Sequence, residues 1–239
     1  MKTPIQPQRA LVIAAHPDDI EFSVAGTVAK WTRAGARVWY VVATSGDAGT
    51  HKPGITRQEL ARIREAEQRA AARVVGVEEV VFLRYPDGEV QPTLDLRRDL
   101  VRQVRRFKPD TVICFDPTRL FVGGEYVNHP DHRAVGQAAL DAIWPTAAMR
   151  LSFSEMIDQE ELEPHRVRQV LVGSTSTPDT WIDISETIDL KLEALRQHAS
   201  QLDDRRDYIG MTRQWAVETG AQADMPYAEA FMQILRLVP

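Results

Sequence analysis

Leu11-Val12-Ile13-Ala14-Ala15-His16-Pro17-Asp18-Asp19-Ile20-Glu21 is an unbroken apolar run with a polar cluster packed directly behind it. The run reads as a buried strand of an open α/β sheet, and the cluster then falls where such a sheet delivers side chains to a ligand crevice. A second pairing of the same kind lies more than a hundred residues on. There Thr111-Val112-Ile113-Cys114-Phe115 is followed, after a polar loop, by Asn128-His129-Pro130-Asp131-His132. Two histidine- and carboxylate-bearing clusters at one edge of one sheet can share a single divalent ion.

Outward from this stretch, strand-like and helical segments alternate through the first 145 residues, which predicts βα units on a mostly parallel, Rossmann-like α/β sheet flanked by helices. Strands are expected at 11–15, 38–43, 80–83 and 111–115. Helices are expected at 21–34, stopped by Gly35; from a capping box at Thr56 and Glu59 to Gly76; and at 94–107. Right-handed crossovers make the four strands parallel and gather the loops 16–21, 45–51, 85–89 and 116–132 at one edge. Beyond residue 145 the alternation weakens. The expectation is a less regular extension (146–239) of the same single domain, with short strands at 170–173 and 181–184 and a helix capped by Ser185 running to about Gln201. A further helix is expected at 211–220, and 227–238 is readable as helix or strand.

With 239 residues the chain can bury a sizeable core, and 44% hydrophobic and 26% charged residues are ordinary globular values. A net charge of −5, with Lys and Arg scattered among Asp and Glu, provides no basic field for a phosphate backbone, so no nucleic-acid partner is expected. No run approaches the ~18 apolar residues of a membrane span. The first ten residues, with Pro4 and Pro7, lack an apolar signal core, so no membrane partner and a cytoplasmic location are expected. The composition leaves a homo-oligomer open. Cys114, alone in its strand, is expected to be an inert core thiol.

A catalytic zinc keeps three protein ligands and an open position for water, whose acidity the ion raises. His16, Asp19 and His132 fit that count, the first two lying three apart in a strand-to-helix turn. Asp18, beside a ligand but pointing elsewhere, is then a suitable base for the water. His129 and His132 sit at i and i+3; His132 is the better ligand candidate, which leaves His129 to polarise a carbonyl or stabilise an oxyanion. Asp131 can orient one of the imidazoles. Taken without each other, the same residues read more plainly. Carboxylates at 18 and 19 complement a helix N-terminus, and Glu21 is a first-turn carboxylate. His51 reads as exposed, and His165 and His198 as structural.

The motifs AHPDDIE (15–21), TSGDAGT (44–50), RxxE (64–67) and HPDH (129–132), with KLEALRQHASQ (191–201) and YAEAF (227–231) as weaker matches, together resemble the PIG-L/LmbE-like N-acetylglucosaminyl deacetylases, which include enzymes of mycothiol and bacillithiol biosynthesis. The resemblance implies a divalent-metal hydrolase that removes acetyl from an N-acetylated amino sugar, a small-molecule substrate. Zn²⁺ is the implied metal, with Fe²⁺ as the alternative. By the family pattern His16, Asp19 and His132 are ligands, Asp18 the base and His129 the partner of the amide oxygen; Arg64 and Asp87 match positions associated with sugar hydroxyls. Asp87 is also a good β-turn aspartate in Tyr85-Pro86-Asp87-Gly88. The chain departs from the pattern at Val127, where some members carry tyrosine, with Tyr126 and Asn128 as neighbours. Hydrolysis of another amide or an ester, and sugar binding without catalysis on the same fold, remain alternatives. Nucleotide binding is disfavoured, because two carboxylates stand where phosphates need glycines and backbone donors.

Overall fold

In the computed structural model, which describes residues 6–124, 126–202 and 206–235, the opening apolar run forms β1 (Arg9–Ala14), buried from Ala10 onward. Its side chains alternate between two cores: Ala10, Val12 and Ala14 enter one hydrophobic cluster, Leu11 and Ile13 the other. That is the two-residue period of a strand covered on both faces. After β1 come two short helices, α1 (Asp19–Ser23) and α2 (Ala25–Arg33), then β2 (Arg37–Thr44), α3 (Arg57–Val74), β3 (Glu79–Tyr85), α4 (Leu94–Phe107) and β4 (Thr111–Phe115). A separate small hairpin, β5 (Phe121–Val122) and β6 (Tyr126–Val127), precedes α5 (Pro130–Ile143) and α6 (Glu155–Glu160). The C-terminal region supplies β7 (Gln169–Gly173), β8 (Thr180–Asp183), α7 (Ile188–Arg196), α8 (Tyr208–Ala221) and β9 (Ala228–Ile234).

The main sheet has the order β3-β2-β1-β4-β7-β9-β8. β3, β2, β1, β4 and β7 are parallel, and β9 runs antiparallel to both β7 and β8. From β1 the chain builds outward through β2 and β3, then returns to lay β4 on the other side of β1. β1 and β4 therefore flank the point where strand order reverses, and the crevice beyond their carboxyl ends is the ligand position of an open α/β sheet. One face is covered by α2, α3, α7 and α8, through residues such as Trp31, Ala71, Leu192 and Ala216. The other is covered by α4 and α5, through Leu100, Val104, Ala138 and Ala142.

Two details differ from the sequence reading, and one open reading is resolved. The helix expected over 21–34 is broken at Val24, which leaves helical geometry (φ −132°, ψ 6°). There the buried Glu229 accepts from Gly26 N (3.0 Å) and Thr27 N (2.8 Å), capping a new helix from 203 residues away. Ser185 does not cap α7: its N–H and hydroxyl both donate to Asp183 Oδ1, and the N-cap is Thr187. Of segment 227–238, readable as helix or strand, Ala228–Ile234 is a strand, and 236–238 lie outside the described residues. That strand inserts between the two short strands expected at 170–173 and 181–184, β7 and β8.

Candidate active site

The chain leaves β1 through a corner held by side chains from other elements. Thr44 donates its N–H (2.9 Å) and its hydroxyl (3.0 Å) to Ala15 O. Asp18, the residue before α1, has φ 86° and ψ −26°, a left-handed conformation that costs an L-residue about 1–2 kcal/mol. Its N–H donates to Gln68 Oε1 (2.9 Å), and Arg64 Nη2 grips both Pro17 O (2.7 Å) and Asp18 Oδ2 (3.0 Å). Asp19 turns the opposite way. Its Oδ2 accepts from His16 N (2.8 Å) and lies 3.4 Å from His16 Nδ1, and its Oδ1 lies 3.0 Å from His132 Nε2. Two adjacent carboxylates thus face different neighbours.

The second half of the cluster comes from the start of α5. His129 is the N-cap and Pro130 the first helical residue, where a missing N–H costs nothing. Gly136 lets this helix approach the end of β4: a Cβ there would lie 2.5 Å from Phe115 O. The rings of His16, His129 and His132 consequently gather with centroids 4.7 to 5.4 Å apart. Asp131, fully buried, accepts from Gly88 N (2.8 Å) and Val90 N (3.2 Å) and faces His16 Nε2 at 3.1 Å. Asp87 reaches the same nitrogen at 3.1 Å and also accepts from Ala48 N (3.0 Å).

His16 therefore has two distinct sides. Its Nε2 is held by Asp131 and Asp87, the carboxylate support that fixes a ligand imidazole. Its Nδ1 faces Asp19 and His132, and these three residues offer ligand atoms within 4.8 Å of one another. His16, Asp87, His129 and Asp131 form a second group of the same breadth. In the second group Asp87 and Asp131 already accept backbone N–H groups and hold His16 Nε2, so the first is the group whose ligand atoms could close on a cation. Two imidazoles and a carboxylate are a donor set that suits Zn²⁺ and related divalent ions.

The electrostatics follow the same division. Burial lifts the Asp18 carboxyl to about 6, with Arg64 opposing and Asp19 reinforcing the rise. Burial also works against ionised Asp19, but His132 and His16 outweigh it and hold its pKa well below the usual carboxylate range. For His16, burial is overcome by Asp19 and by the bonds to Asp131 and Asp87, so its pKa stands well above the ordinary value. Asp87 is likewise brought down to about 2, burial notwithstanding, chiefly by His16. His129 is pushed down by burial and by the neighbouring His16. Because His129 Nδ1 accepts from Asp131 N (3.2 Å), a neutral ring carries its proton on Nε2.

Arg64 and Asp87, assigned to sugar hydroxyls by resemblance, both belong to this hydrogen-bond framework. Arg64 is only 4% exposed and spends Nη1 on Gly46 O (2.9 Å) and Nη2 on Pro17 and Asp18, with Nε buried and unpartnered. Gly46, at φ 62°, makes room for it: a Cβ there would collide with the guanidinium. Sequence reasoning missed Gln68, which lies one turn beyond Arg64 on α3 and whose spacing was the available signal. Glu21 is a first-turn carboxylate of α1 and His198 a buried structural residue, as read; that they meet each other in the layer beneath the corner was not foreseen. His51 is exposed and His165 is bonded to Pro109 O, far from the cluster in the fold.

A doubly wound α/β sheet with a His-Asp-His cluster and a separately held carboxylate at its switch point is the framework of a cation-dependent enzyme class. The family model for GlcNAc-PI de-N-acetylase (PIG-L) matches residues 11–143, and the chain belongs to this family. It is similar to the diacetylchitobiose deacetylase of Thermococcus kodakarensis, 32% identical over 82% of this chain and 71% of that protein. A probable N-acetyl-alpha-D-glucosaminyl L-malate deacetylase 2 of Bacillus anthracis is 30% identical over 81% of each chain. Among solved structures, N,N'-diacetylchitobiose deacetylase from Pyrococcus horikoshii, complexed with its inhibitor MPG, superposes with a TM-score of 0.89 at 30% identity, over 96% of this chain and 84% of that one.

Proposed function

We propose that this single-domain chain is a divalent-metal-dependent hydrolase that removes the acetyl group from an N-acetylglucosamine-type amino sugar or conjugate, giving acetate and a free amine. The observation that carries the reading is the separation of Asp18 from Asp19: one carboxylate sits between two imidazoles, and its neighbour, raised to about 6, is kept clear of them by Arg64. The family relatives, named as deacetylases of N-acetylated sugars, support the substrate class. His16, Asp19 and His132 would hold the cation, Zn²⁺ by preference and Fe²⁺ as the alternative, which supplies a Lewis acid for the water and the amide oxygen.

The remaining work falls to the chain's own residues. Asp18 accepts the proton of the attacking water, as a carboxylate with a raised pKa is suited to do. His129 presents its Nε2–H to the oxygen that becomes negative as the carbonyl is attacked. Asp131 serves both halves, holding His16 through its carboxylate and His129 through its N–H. Protonated Asp18 then returns the proton to the departing amine. Asp87 secures His16 and the loop at Ala48, and in this reading it also meets a sugar hydroxyl; Arg64 acts on the substrate through Asp18, which it holds. A cavity of about 740 Å³, bounded by α1, the β5–β6 hairpin and α8, lies one helical turn from Asp19 and offers room for the rest of a conjugate. Among the described residues no helix is long and apolar enough to cross a membrane.

The test is acetate and free-amine release across a panel of N-acetylglucosamine conjugates, simple acetamides and acetate esters, after chelation and after reconstitution with Zn²⁺ or Fe²⁺. Release from the sugars that vanishes on chelation and returns with one ion is the expected result. Faster turnover of the esters or plain amides would move the substrate class elsewhere.

A further inference from the structure

Beneath the corner at Asp18 runs a line of buried polar side chains that the reaction does not use. His198 Nε2 lies 3.1 Å from Glu21 Oε2, Gln68 Nε2 donates to Glu21 Oε1 at 3.0 Å, and Asp18 N donates to Gln68 Oε1 at 2.9 Å. Glu21, Gln68 and His198 are all fully buried. Apolar side chains of the same volume would fill this space at less cost, since a buried carboxylate and imidazole must be desolvated and kept paired. The line also has a direction. A carboxylate only accepts, so Gln68 must turn its Nε2 toward Glu21, and that leaves its Oε1 aimed at the Asp18 N–H.

The element that receives this bond is the strained one. Asp18 is held at φ 86°, and the grips on it come from successive turns of α3: Arg64 takes its carboxylate and the preceding carbonyl, Gln68 its N–H. A left-handed non-glycine residue persists only where its surroundings over-determine it. His198 is itself anchored. Two residues on, Ser200 donates its N–H (2.8 Å) and hydroxyl (2.7 Å) to the Glu67 carboxylate on α3. The C-terminal segment 198–200 thus fastens α1 to α3 on either side of Gln68.

We infer that Gln68, Glu21 and His198 are positioning residues that lock Asp18 in its left-handed conformation and so keep its carboxylate apart from the His16–Asp19–His132 cluster. The inference rests on the proposed role of Asp18 as the base. It gives the C-terminal KLEALRQHASQ segment a task in the reaction without contact with substrate.

The test uses the full chain loaded with its metal, and four variants. Gln68→Met keeps the volume and removes both bonds; it should lower kcat on the order of 10²-fold, as small misplacements of a reacting group do, with metal content and KM held within about twofold. His198→Met should lower kcat by about tenfold, and His198→Gln, whose amide can donate to Glu21, should restore most of the loss. A crystal structure of Gln68→Met should show Asp18 relaxed from the left-handed region, a readout independent of activity and unchanged if the line is only structural. Asp18→Asn is the companion. If it keeps wild-type turnover, the base assignment falls and this inference with it. If Asp18→Asn loses turnover while Gln68→Met keeps it, or keeps Asp18 left-handed, only the positioning role is overturned. A fall in kcat matched by an equal fall in metal-loaded, folded protein overturns it as well.

Discussion

Residues 15–18, between β1 and α1, and residues 116–129, between β4 and α5, feed the same cluster by different means. In the first, besides the local bonds of His16 N to Asp19 and of α1 to Asp18 O, the side chains that grip the backbone come from far along the chain: Thr44 on Ala15, Arg64 on Pro17 and Asp18, Gln68 on Asp18. In the second, the contacts are mostly its own, with Thr118 on Asp116, Asn128 N on Leu120 O and Asn128 Nδ2 on Arg119 O, and it exposes Phe121, Tyr126 and Val127. The short corner can sustain strain and hold adjacent carboxylates apart because distant side chains over-determine it. The long loop cannot. Its histidines escape this by joining the start of α5, whose close seat on β4 fixes them, and the hairpin is left free to vary. The difference separates a cross-braced corner from a loop that mostly braces itself.

The contrast breaks first at the corner. Asp19→Ala removes the carboxylate between His16 and His132, so bound metal by elemental analysis should drop to background and turnover with it, the largest effect expected. Asp18→Asn should leave metal in place and lower kcat by about 10²- to 10⁴-fold, the range of a lost general base. If both variants lose metal equally, the two neighbouring carboxylates are not divided in function.

The α5 half should show a smaller and different loss. His129→Ala keeps the three ligand residues, and kcat should fall on the order of 10²-fold with KM little changed, as for one missing oxyanion donor. An unchanged kcat would return His129 to a capping role. Asp131→Asn keeps volume but weakens the grip on His16 Nε2, and metal affinity measured by competitive chelation should drop about 10- to 100-fold. Because Asp131 also accepts from Gly88 and Val90, its melting temperature should be recorded beside the affinity. A fall in stability without a fall in affinity would confine Asp131 to the loop.

Much of this was readable from the chain alone, for a physical reason. The AHPDDIE and HPDH clusters follow buried apolar runs, so strand periodicity locates them, and ligand types at short spacing pick out the residues that the fold brings together. What stayed hidden depends on partners far along the chain. Glu21 looks like any first-turn carboxylate until His198, 177 residues later, is folded against it. The break at Val24 follows from Glu229, and the seat of β9 between β7 and β8 from packing that no local pattern encodes. Arg64 illustrates the middle case. Its helix and its edge of the sheet were legible, but its commitment to Pro17, Asp18 and Gly46 was not, because a donor's target is set by tertiary geometry.

The smallest effect sharpens the contrast most. Tyr126 on β6 is 61% exposed and, with Trp215 on α8, borders the cavity beside α1. Its removal should hardly touch stability, since exposed substitutions away from special features stay within about 0.5 kcal/mol. If the hairpin meets only the distal portion of a conjugate, its contact is made equally in the ground and transition states, and that form of binding energy appears in KM and not in kcat. Tyr126→Ala should then raise KM for an N-acetylglucosamine conjugate by roughly three- to tenfold, the worth of one partly covered aromatic face. For N-acetylglucosamine itself, which lacks that distal portion, kcat and KM should stay at wild-type values. Parallel kinetics on the two substrates decide the matter. A fall in kcat on both would mean that the β5–β6 hairpin helps to hold the reacting groups, and the division between a rigid corner and an adaptable loop would no longer describe this site.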